Sequence, residues 1–248
     1  MGRSIDCTVI SREPSHPGLQ WHHVENAVRE QFATGISLAG CDDNPPTLSV
    51  ELDSIRYGGD ETGKAVFDEL HSPLMYDATS DIVRIGVKGL LPEPPRSVDE
   101  LPADFNDMIL GGILHELGHR RDRTQILRFR ARSNWGMNGL GKIALLVALI
   151  PGAFGAGHPI RLLSSVVAVV LVLSAAGVWD KLIFPRSLMK QKVLWENGAD
   201  DYMLSVGGPQ VSGALLRGVA NVEASSTVSS NVVVPHGTAA ERRARLGL

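Results

Sequence analysis

The N-terminal third of the chain alternates between helical and strand-like spacing of its apolar residues. Apolar side chains recur every three or four positions from Leu19 to Phe32, which predicts an amphipathic helix. Apolar and polar residues alternate over Thr47–Leu52 and Ile82–Val87, which predicts two strands. A short helix is expected over Thr62–Leu70. This order of elements indicates a mixed α+β region before the proline-rich break that follows residue 91.

The next predicted element is a helix that begins near Ala103. Asp104 or Asn106 is its expected N-cap, because short polar side chains accept hydrogen bonds from the free amides of a first helical turn. The buried side of this helix is expected to consist of Phe105, Met108, Ile109, Ile113 and Leu117.

Two long apolar stretches follow a dense run of arginines. Gly139–Gly157 contains one charge, Lys142, and Leu162–Trp179 contains none. Nineteen helical residues extend about 28 Å, which is close to the thickness of the hydrocarbon core of a bilayer. The spacing therefore predicts a membrane-spanning hairpin. The alternative is a helical hairpin buried in a soluble core, although such a pair normally shows a polar face.

Basic residues are distributed unevenly around this hairpin. Arg161 is the one firm positive charge of its short connection. The flanks carry many more, namely Arg120, Arg121, Arg123, Arg128, Arg130 and Arg132 before it and Lys181, Arg186, Lys190 and Lys192 after it. The positive-inside rule then places both flanks in the cytoplasm.

The C-terminal part is predicted to be helical. One helix is expected over Gln191–Leu204, with a stop at Gly207 and Gly208, and a second over Val211–Val219. A basic helix is expected over Ala239–Leu246.

The composition excludes one broad class of function. The 248 residues carry a net charge of −3 and a pI of about 6.2, which gives no electrostatic basis for binding nucleic acid. We expect membrane lipid to be a partner instead, because the basic residues cluster beside the apolar stretches.

The helix from Ala103 carries the strongest chemical signal, the segment His115–His119 with the sequence HELGH. Residues four apart lie on one face of a helix, so His115 and His119 can bind one metal ion. Glu116 lies beside the first ligand, where it can take a proton from a water molecule that zinc activates. The alternative is an ordinary helix with two surface histidines.

A catalytic zinc site needs a third protein ligand. Glu196 is the best candidate, and Asp200, four residues later, would then accept a hydrogen bond from the outer nitrogen of a ligand histidine. The alternative is an acidic helix face with Asp200 and Asp201 in solvent. Considered alone, the spacing favours that solvated face.

Three blocks resemble the M48 family of membrane metallopeptidases, which includes a heat-shock protease of bacterial inner membranes and the CAAX prenyl endopeptidases. The first block is Gly112–His119 (GILHELGH), the second is Glu196–Tyr202 (ENGADDY), and the third is His236–Leu246 (HGTAAERRARL). The resemblance extends from about Ile82 to Leu248. Gly237 stands where the family has proline, and no N-terminal membrane span is apparent.

The resemblance implies a gluzincin site with one Zn²⁺ per chain. His115, His119 and Glu196 are its expected metal ligands, and Glu116 is its expected base. The resemblance also implies that His236 and Arg242 lie near the catalytic cleft, where they would hold substrate or stabilise an oxyanion.

The expected fold is therefore mainly helical α+β, a gluzincin-like domain with an inserted two-helix transmembrane hairpin. We expect an N-terminal cytoplasmic region at residues 1–97, the zinc helix and a basic juxtamembrane segment at 98–138, the hairpin at 139–180, and the helical part with the third ligand at 181–248.

The expected function is that of a membrane-anchored zinc metalloendopeptidase. It would be an integral protein of the bacterial cell membrane, with both termini and the active site in the cytoplasm and with protein or peptide substrates, membrane-bound ones included. The alternative is a non-catalytic, membrane-tethered zinc protein that acts as a regulatory or adaptor scaffold.

Overall fold

The computed structural model describes residues 22–51, 55–57, 70–72, 74–86, 91, 95, 97–129, 131, 167, 184–225 and 237–248. Apart from Val167, the predicted hairpin at 139–180 lies outside the described residues. His236 also lies outside them, as does all of the helix expected over Thr62–Leu70 except Leu70 itself.

The described residues form a mainly helical α+β fold, as the hydrophobic pattern predicts. The elements in chain order are α1 (His22–Leu38), β1 (Thr47–Glu51), β2 (Ile55–Tyr57), β3 (Leu70–Ser72), β4 (Leu74–Asp77), β5 (Ile82–Gly86), a 3-10 turn (Val98–Glu100), α2 (Phe105–Arg121), α3 (Phe184–Ser225) and α4 (Ala239–Leu246). Residues 123–129 are also helical.

A three-stranded sheet has the order β1-β5-β4, and a separate antiparallel pair consists of β2 and β3. Strands β1 and β5 are parallel, with Thr47 opposite Ile82, whereas β4 and β5 form an antiparallel hairpin. Strands β1 and β5 were expected, but β2, β3 and β4 were not. Each of these three has only three or four residues, which is too short for a clear alternation of apolar and polar side chains.

Helix α1 is longer than the sequence pattern predicts, since it continues past Phe32 to Leu38. Ile36 extends the buried side of the helix, which also includes Val24 and Val28. The chain leaves the helix at Gly40, whose φ of +63° suits a residue without a side chain.

Helix α2 lies between α1 and the sheet, and glycines allow both approaches. A Cβ atom added at Gly35 of α1 would lie 2.8 Å from Cγ2 of Ile113. A Cβ atom added at Gly112 would lie 2.7 Å from Cδ2 of Leu74 in β4. Most of α2 is therefore buried, from Ile109 to Gly118.

Helix α3 is two helical segments joined at a kink. Gly208 has φ 76° and ψ 179°, and Pro209 follows it, so the helical hydrogen-bond pattern is interrupted at that point. The stop predicted at Gly207 and Gly208 coincides with the kink. The first segment begins earlier than predicted, at Phe184 instead of Gln191, and the second continues to Ser225.

The described residues divide into two compact units. One contains those up to Asp122 together with those from Trp195 onward, and the other contains those from Arg123 to Leu194. The sequence-predicted ligands and Glu116 all belong to the first unit. No helix within the described ranges combines the length and apolar character that crossing a membrane requires.

Candidate metal centre

The two histidines of the HELGH segment lie on the last two turns of α2 and face the same side. Their ring centroids are 4.8 Å apart, and the ring planes are nearly perpendicular at 87°. The side chains of His115 and His119 are only 7% and 13% exposed. Helix geometry accounts for their proximity, since residues four apart are neighbours on the helix surface.

Glu196 of α3 brings a carboxylate to both histidines. Its Oε2 atom lies 3.2 Å from Nε2 of His115 and 3.4 Å from Nε2 of His119. Two nitrogens and one oxygen from separate helices therefore converge on one point. The resemblance implied this triad, and the spacing along the sequence alone did not.

A close helix crossing makes that convergence possible. A Cβ atom added at Gly118 would lie 2.6 Å from Cα of Ala199, nearer than side chains can approach. Gly118 precedes His119, and Ala199 follows Glu196 by three residues, so α2 and α3 approach each other closely beside the ligands. Larger residues at either position would hold the carboxylate away from the imidazoles.

The triad fits zinc. One donor atom from each of the three residues lies within 4.8 Å of the others. A tetrahedral zinc ion with bonds of about 2.0–2.2 Å separates its ligand atoms by about 3.3–3.6 Å. The distances of 3.2 and 3.4 Å from Oε2 to the two imidazole nitrogens are close to that separation. Two histidines and one glutamate also form a donor set typical of catalytic zinc sites, which leave a fourth position open.

Asp200 holds the outer nitrogen of His115. Its Oδ1 atom lies 2.9 Å from Nδ1 of His115, which is an ion-pair distance, although the ring N–H is not aligned with it for a hydrogen bond. Asp200 is only 1% exposed. A carboxylate in that position favours the tautomer with a proton on Nδ1, which turns the lone pair of Nε2 toward Glu196 and His119. The spacing of Glu196 and Asp200 on α3 thus places one carboxylate on each side of the same imidazole.

Electrostatics around His115 favour a proton in the metal-free chain. Burial alone lowers the pKa of His115, but the neighbouring carboxylates of Asp200, Glu196 and Glu116 outweigh it and raise the pKa to about 9. Burial raises the pKa of Asp200. Its contacts with His115 and Arg242 outweigh burial and hold the pKa of Asp200 well below its usual range.

The turn between β4 and β5 holds the end of α2. Arg120, next to His119, donates from Nε to Oδ1 of Asp81 at 2.8 Å and from a terminal nitrogen to Oδ2 at 2.9 Å. Asp81 also accepts a hydrogen bond from the Tyr76 hydroxyl at 2.7 Å. Asp81 has a φ of +58°, a conformation that aspartate tolerates better than most residues. The ligand helix is thereby attached to the sheet one residue after His119.

Glu116 and Arg242 occupy two different parts of the site. Glu116 is 8% exposed and lies on α2 next to His115. Arg242 of α4 is 7% exposed and donates from Nε to Oδ2 of Asp200 at 3.0 Å, while a terminal nitrogen contacts Oδ1. This placement supports a positioning role for Arg242 through Asp200. The expected contact of Arg242 with substrate stays a prediction, as does the role of His236.

Arg245 is a site residue that the sequence did not single out. One terminal nitrogen donates to Oδ2 of Asp200 at 2.9 Å, and the other contacts Oδ1 of Asp201. The available signal was the three-residue spacing of Arg242 and Arg245, which places them on one helix face. That signal becomes specific only once α4 is known to meet the two adjacent aspartates of α3.

Comparisons of the chain with protein-family models, with curated proteins and with solved structures return no match.

Proposed function

We propose that this chain is a zinc-dependent metallopeptidase whose metal ligands are His115, His119 and Glu196. The observation that carries the proposal is the convergence of two Nε2 atoms and one carboxylate oxygen, at 3.2 and 3.4 Å, beside a glutamate on the same helix as the histidines. A purely structural zinc site has no use for a base at that position. Glu116 therefore favours an enzyme over a scaffold.

The residues of the chain have distinct roles in the proposed reaction. When bound, zinc makes water more acidic and polarises the carbonyl of the scissile peptide bond. Glu116 accepts the proton of the attacking water and later donates it to the departing amine. Asp200 keeps the Nδ1 proton of His115 in place, so that Nε2 stays available as a ligand. Water adds across the peptide bond, and the products are a carboxylate and an amine.

The location at a membrane is part of the same proposal. It rests on the apolar stretches Gly139–Gly157 and Leu162–Trp179 and on the excess of basic residues on their flanks. Peptide substrates at or in the cytoplasmic face of the membrane would suit such an anchored endopeptidase. Alkaline carbonate extraction of membranes from expressing cells tests this part, because an integral protein stays in the pellet and release into the supernatant contradicts the anchor.

The metal content of the detergent-purified chain tests the ligand set. We expect about one zinc per unaltered chain by elemental analysis and a large loss in the Glu196→Ala variant. Glu30→Ala, which changes an exposed glutamate on α1, is the matched control and retains the metal. Full zinc retention in Glu196→Ala would show that Glu196 is not the third ligand.

A second variant separates an enzyme from a zinc-binding scaffold. Glu116→Gln keeps the size of the side chain but removes the base, so we expect zinc to stay bound and cleavage of a fluorescence-quenched peptide mixture to disappear. Glu30→Gln should leave both unchanged. A scaffold would show equal zinc content in all three chains and no cleavage in any of them.

A further inference from the structure

Helix α4 contacts the metal centre through the buried carboxylate of Asp200. Asp200 contacts His115 with Oδ1 and receives Arg242 on both of its oxygens. Arg245 adds a contact to Oδ2 at 2.9 Å. The carboxylate beside Nδ1 of His115 is thus enclosed by two guanidinium groups from one face of α4.

The two arginines differ in surroundings. The Arg242 side chain is 8% exposed, whereas that of Arg245 is 30% exposed and also reaches Asp201, a residue whose side chain is 64% exposed. Arg245 therefore joins the buried carboxylate to a second carboxylate at the surface. Its two terminal nitrogens contact different carboxylates, which fixes the orientation of the guanidinium plane. A lysine ammonium in the same place could not provide this planar, two-sided contact.

The rest of α4 is fixed independently of Asp200. Thr238 and Glu241 form a capping box, in which the Thr238 side chain accepts from the Glu241 amide and the Glu241 carboxylate accepts from the Thr238 amide. The amide of Ala239 donates to the Glu223 carboxylate of α3 at 3.1 Å. The start of the helix is thus anchored without Arg245.

We propose that Arg245 is a positioning residue of the metal centre, which fixes the Asp200 carboxylate and through it the orientation of His115. The inference rests on the proposed function, since it concerns the affinity of the same zinc site. Without Arg245, Oδ2 of Asp200 loses one of its two partners. Arg242 alone then fixes the position of the carboxylate. His115 would then meet zinc with a less well defined ring orientation.

Simple electrostatics predicts that zinc binds more tightly, and not more weakly, when Arg245 is removed. Removal of a positive charge near a cation site lowers repulsion and should tighten zinc binding. A weaker affinity in a variant without Arg245 can therefore be assigned to lost positioning and not to the change of net charge.

The test compares zinc affinities of four variants by competition with a chromophoric chelator. We expect Arg245→Met to lower the affinity by about tenfold, the lower end of the effect of outer partners of metal ligands. Arg245→Lys should recover part of the loss, because a lysine can still contact Asp200. Arg243→Met removes the same charge from the same helix, and Thr238→Ala weakens the capping box, so neither should bind zinc more weakly than the unaltered chain does.

A spectroscopic measurement accompanies the affinities. In the cobalt-substituted protein, Arg245→Met should shift the visible absorption bands, which respond to ligand orientation, whereas Arg243→Met should leave them in place. Equal affinity and equal spectra for Arg245→Met and Arg243→Met would overturn the inference, as would an equal loss in Thr238→Ala. Those outcomes leave the proposed peptidase intact, whereas failure of the unaltered chain to bind zinc overturns both.

Discussion

Glycines allow α2 and α3 to pack closely at both ends of their crossing, but the close packing has a different consequence at each end. At one end Gly118 meets Ala199, and at the other a Cβ atom added at Gly111 would lie 2.9 Å from the carbonyl oxygen of Val211 and 3.0 Å from Cβ of Leu215. The first approach brings ionisable ligands together, whereas the second buries apolar surface. Close packing by glycine thus fixes the helices, and the neighbouring side chains decide what each end does.

The charged groups at the two ends also differ in burial. The Arg242–Asp200 pair has side chains that are 8% and 2% exposed, whereas those of Arg217 and Asp104 at the other end are 51% and 42% exposed. A buried charge that loses its partner cannot be hydrated, whereas an exposed one can. The buried Arg242–Asp200 pair should therefore be far more sensitive to substitution than the exposed Arg217–Asp104 pair.

The largest expected effect comes from Asp200→Asn. This change leaves Arg242 as a buried cation without a carboxylate, so we expect a loss of about 3–5 kcal/mol in the free energy of unfolding. Chemical denaturation of the metal-free protein measures it. Asp201→Asn, which alters an exposed neighbour, should cost less than about 1 kcal/mol. Similar losses in the two variants would remove the contrast between buried and exposed pairs.

The second-largest effect is expected when a glycine at the helix crossing is replaced. Gly118→Ala forces a methyl group against the backbone of Ala199, and overpacking of this kind costs about 1–3 kcal/mol. Separation of the helices should also weaken zinc binding, although no ligand is changed.

Gly198→Ala is the matched control for that variant. The nearest atom to its added Cβ is Oδ2 of Asp122 at 3.6 Å, an ordinary contact. Helix propensity should then stabilise the protein by about 0.5–1 kcal/mol. The two alanine substitutions are therefore expected to have opposite signs, and calorimetric unfolding decides whether they do.

The third effect is a pH dependence confined to the ligand end. Burial lowers the pKa of His115, but the adjacent carboxylates of Asp200 and Glu196 raise it to about 9. The metal-free site therefore holds a proton at pH 7, and zinc must displace it to bind Nε2. Apparent zinc affinity should rise by about tenfold per pH unit from 7 toward 9 and then level off.

Calorimetric titration in buffers of different ionisation enthalpy measures that displacement. We expect release of about one proton from His115 per zinc at pH 7 and fewer at pH 9.5. A proton count that does not change with pH would show that His115 is already neutral in the metal-free chain.

The smallest effect is expected for the exposed pair at the other end. Arg217→Met breaks the 2.9 Å contact with Asp104, but both side chains can be hydrated, so the free energy of unfolding should fall by less than about 1 kcal/mol. Zinc affinity should not change. A loss as large as that of Asp200→Asn would show that burial does not govern the difference between the two ends.

The amino-acid sequence by itself determined the local features of this protein. The apolar spacing predicted α1, α2 and strands β1 and β5, because periodicity depends only on neighbours along the chain. The basic segment Ala239–Leu246 was also predicted to be a helix. The i,i+4 spacing of His115 and His119 predicted a shared face for the same reason. The mainly helical α+β class followed from those elements.

Only the tertiary structure decided which distant groups meet. Glu196 is 81 residues from His115 along the chain, and the spacing of Glu196 and Asp200 equally suited a solvated acidic face. The Gly118–Ala199 contact, the attachment of Arg120 to Asp81 and the reach of Arg245 to Asp200 depend on helix crossings and strand pairings that leave no periodic mark in the sequence. Long-range contacts are selected by the packing of whole surfaces, and for that reason the local pattern predicted the histidine pair but not the group that completes it.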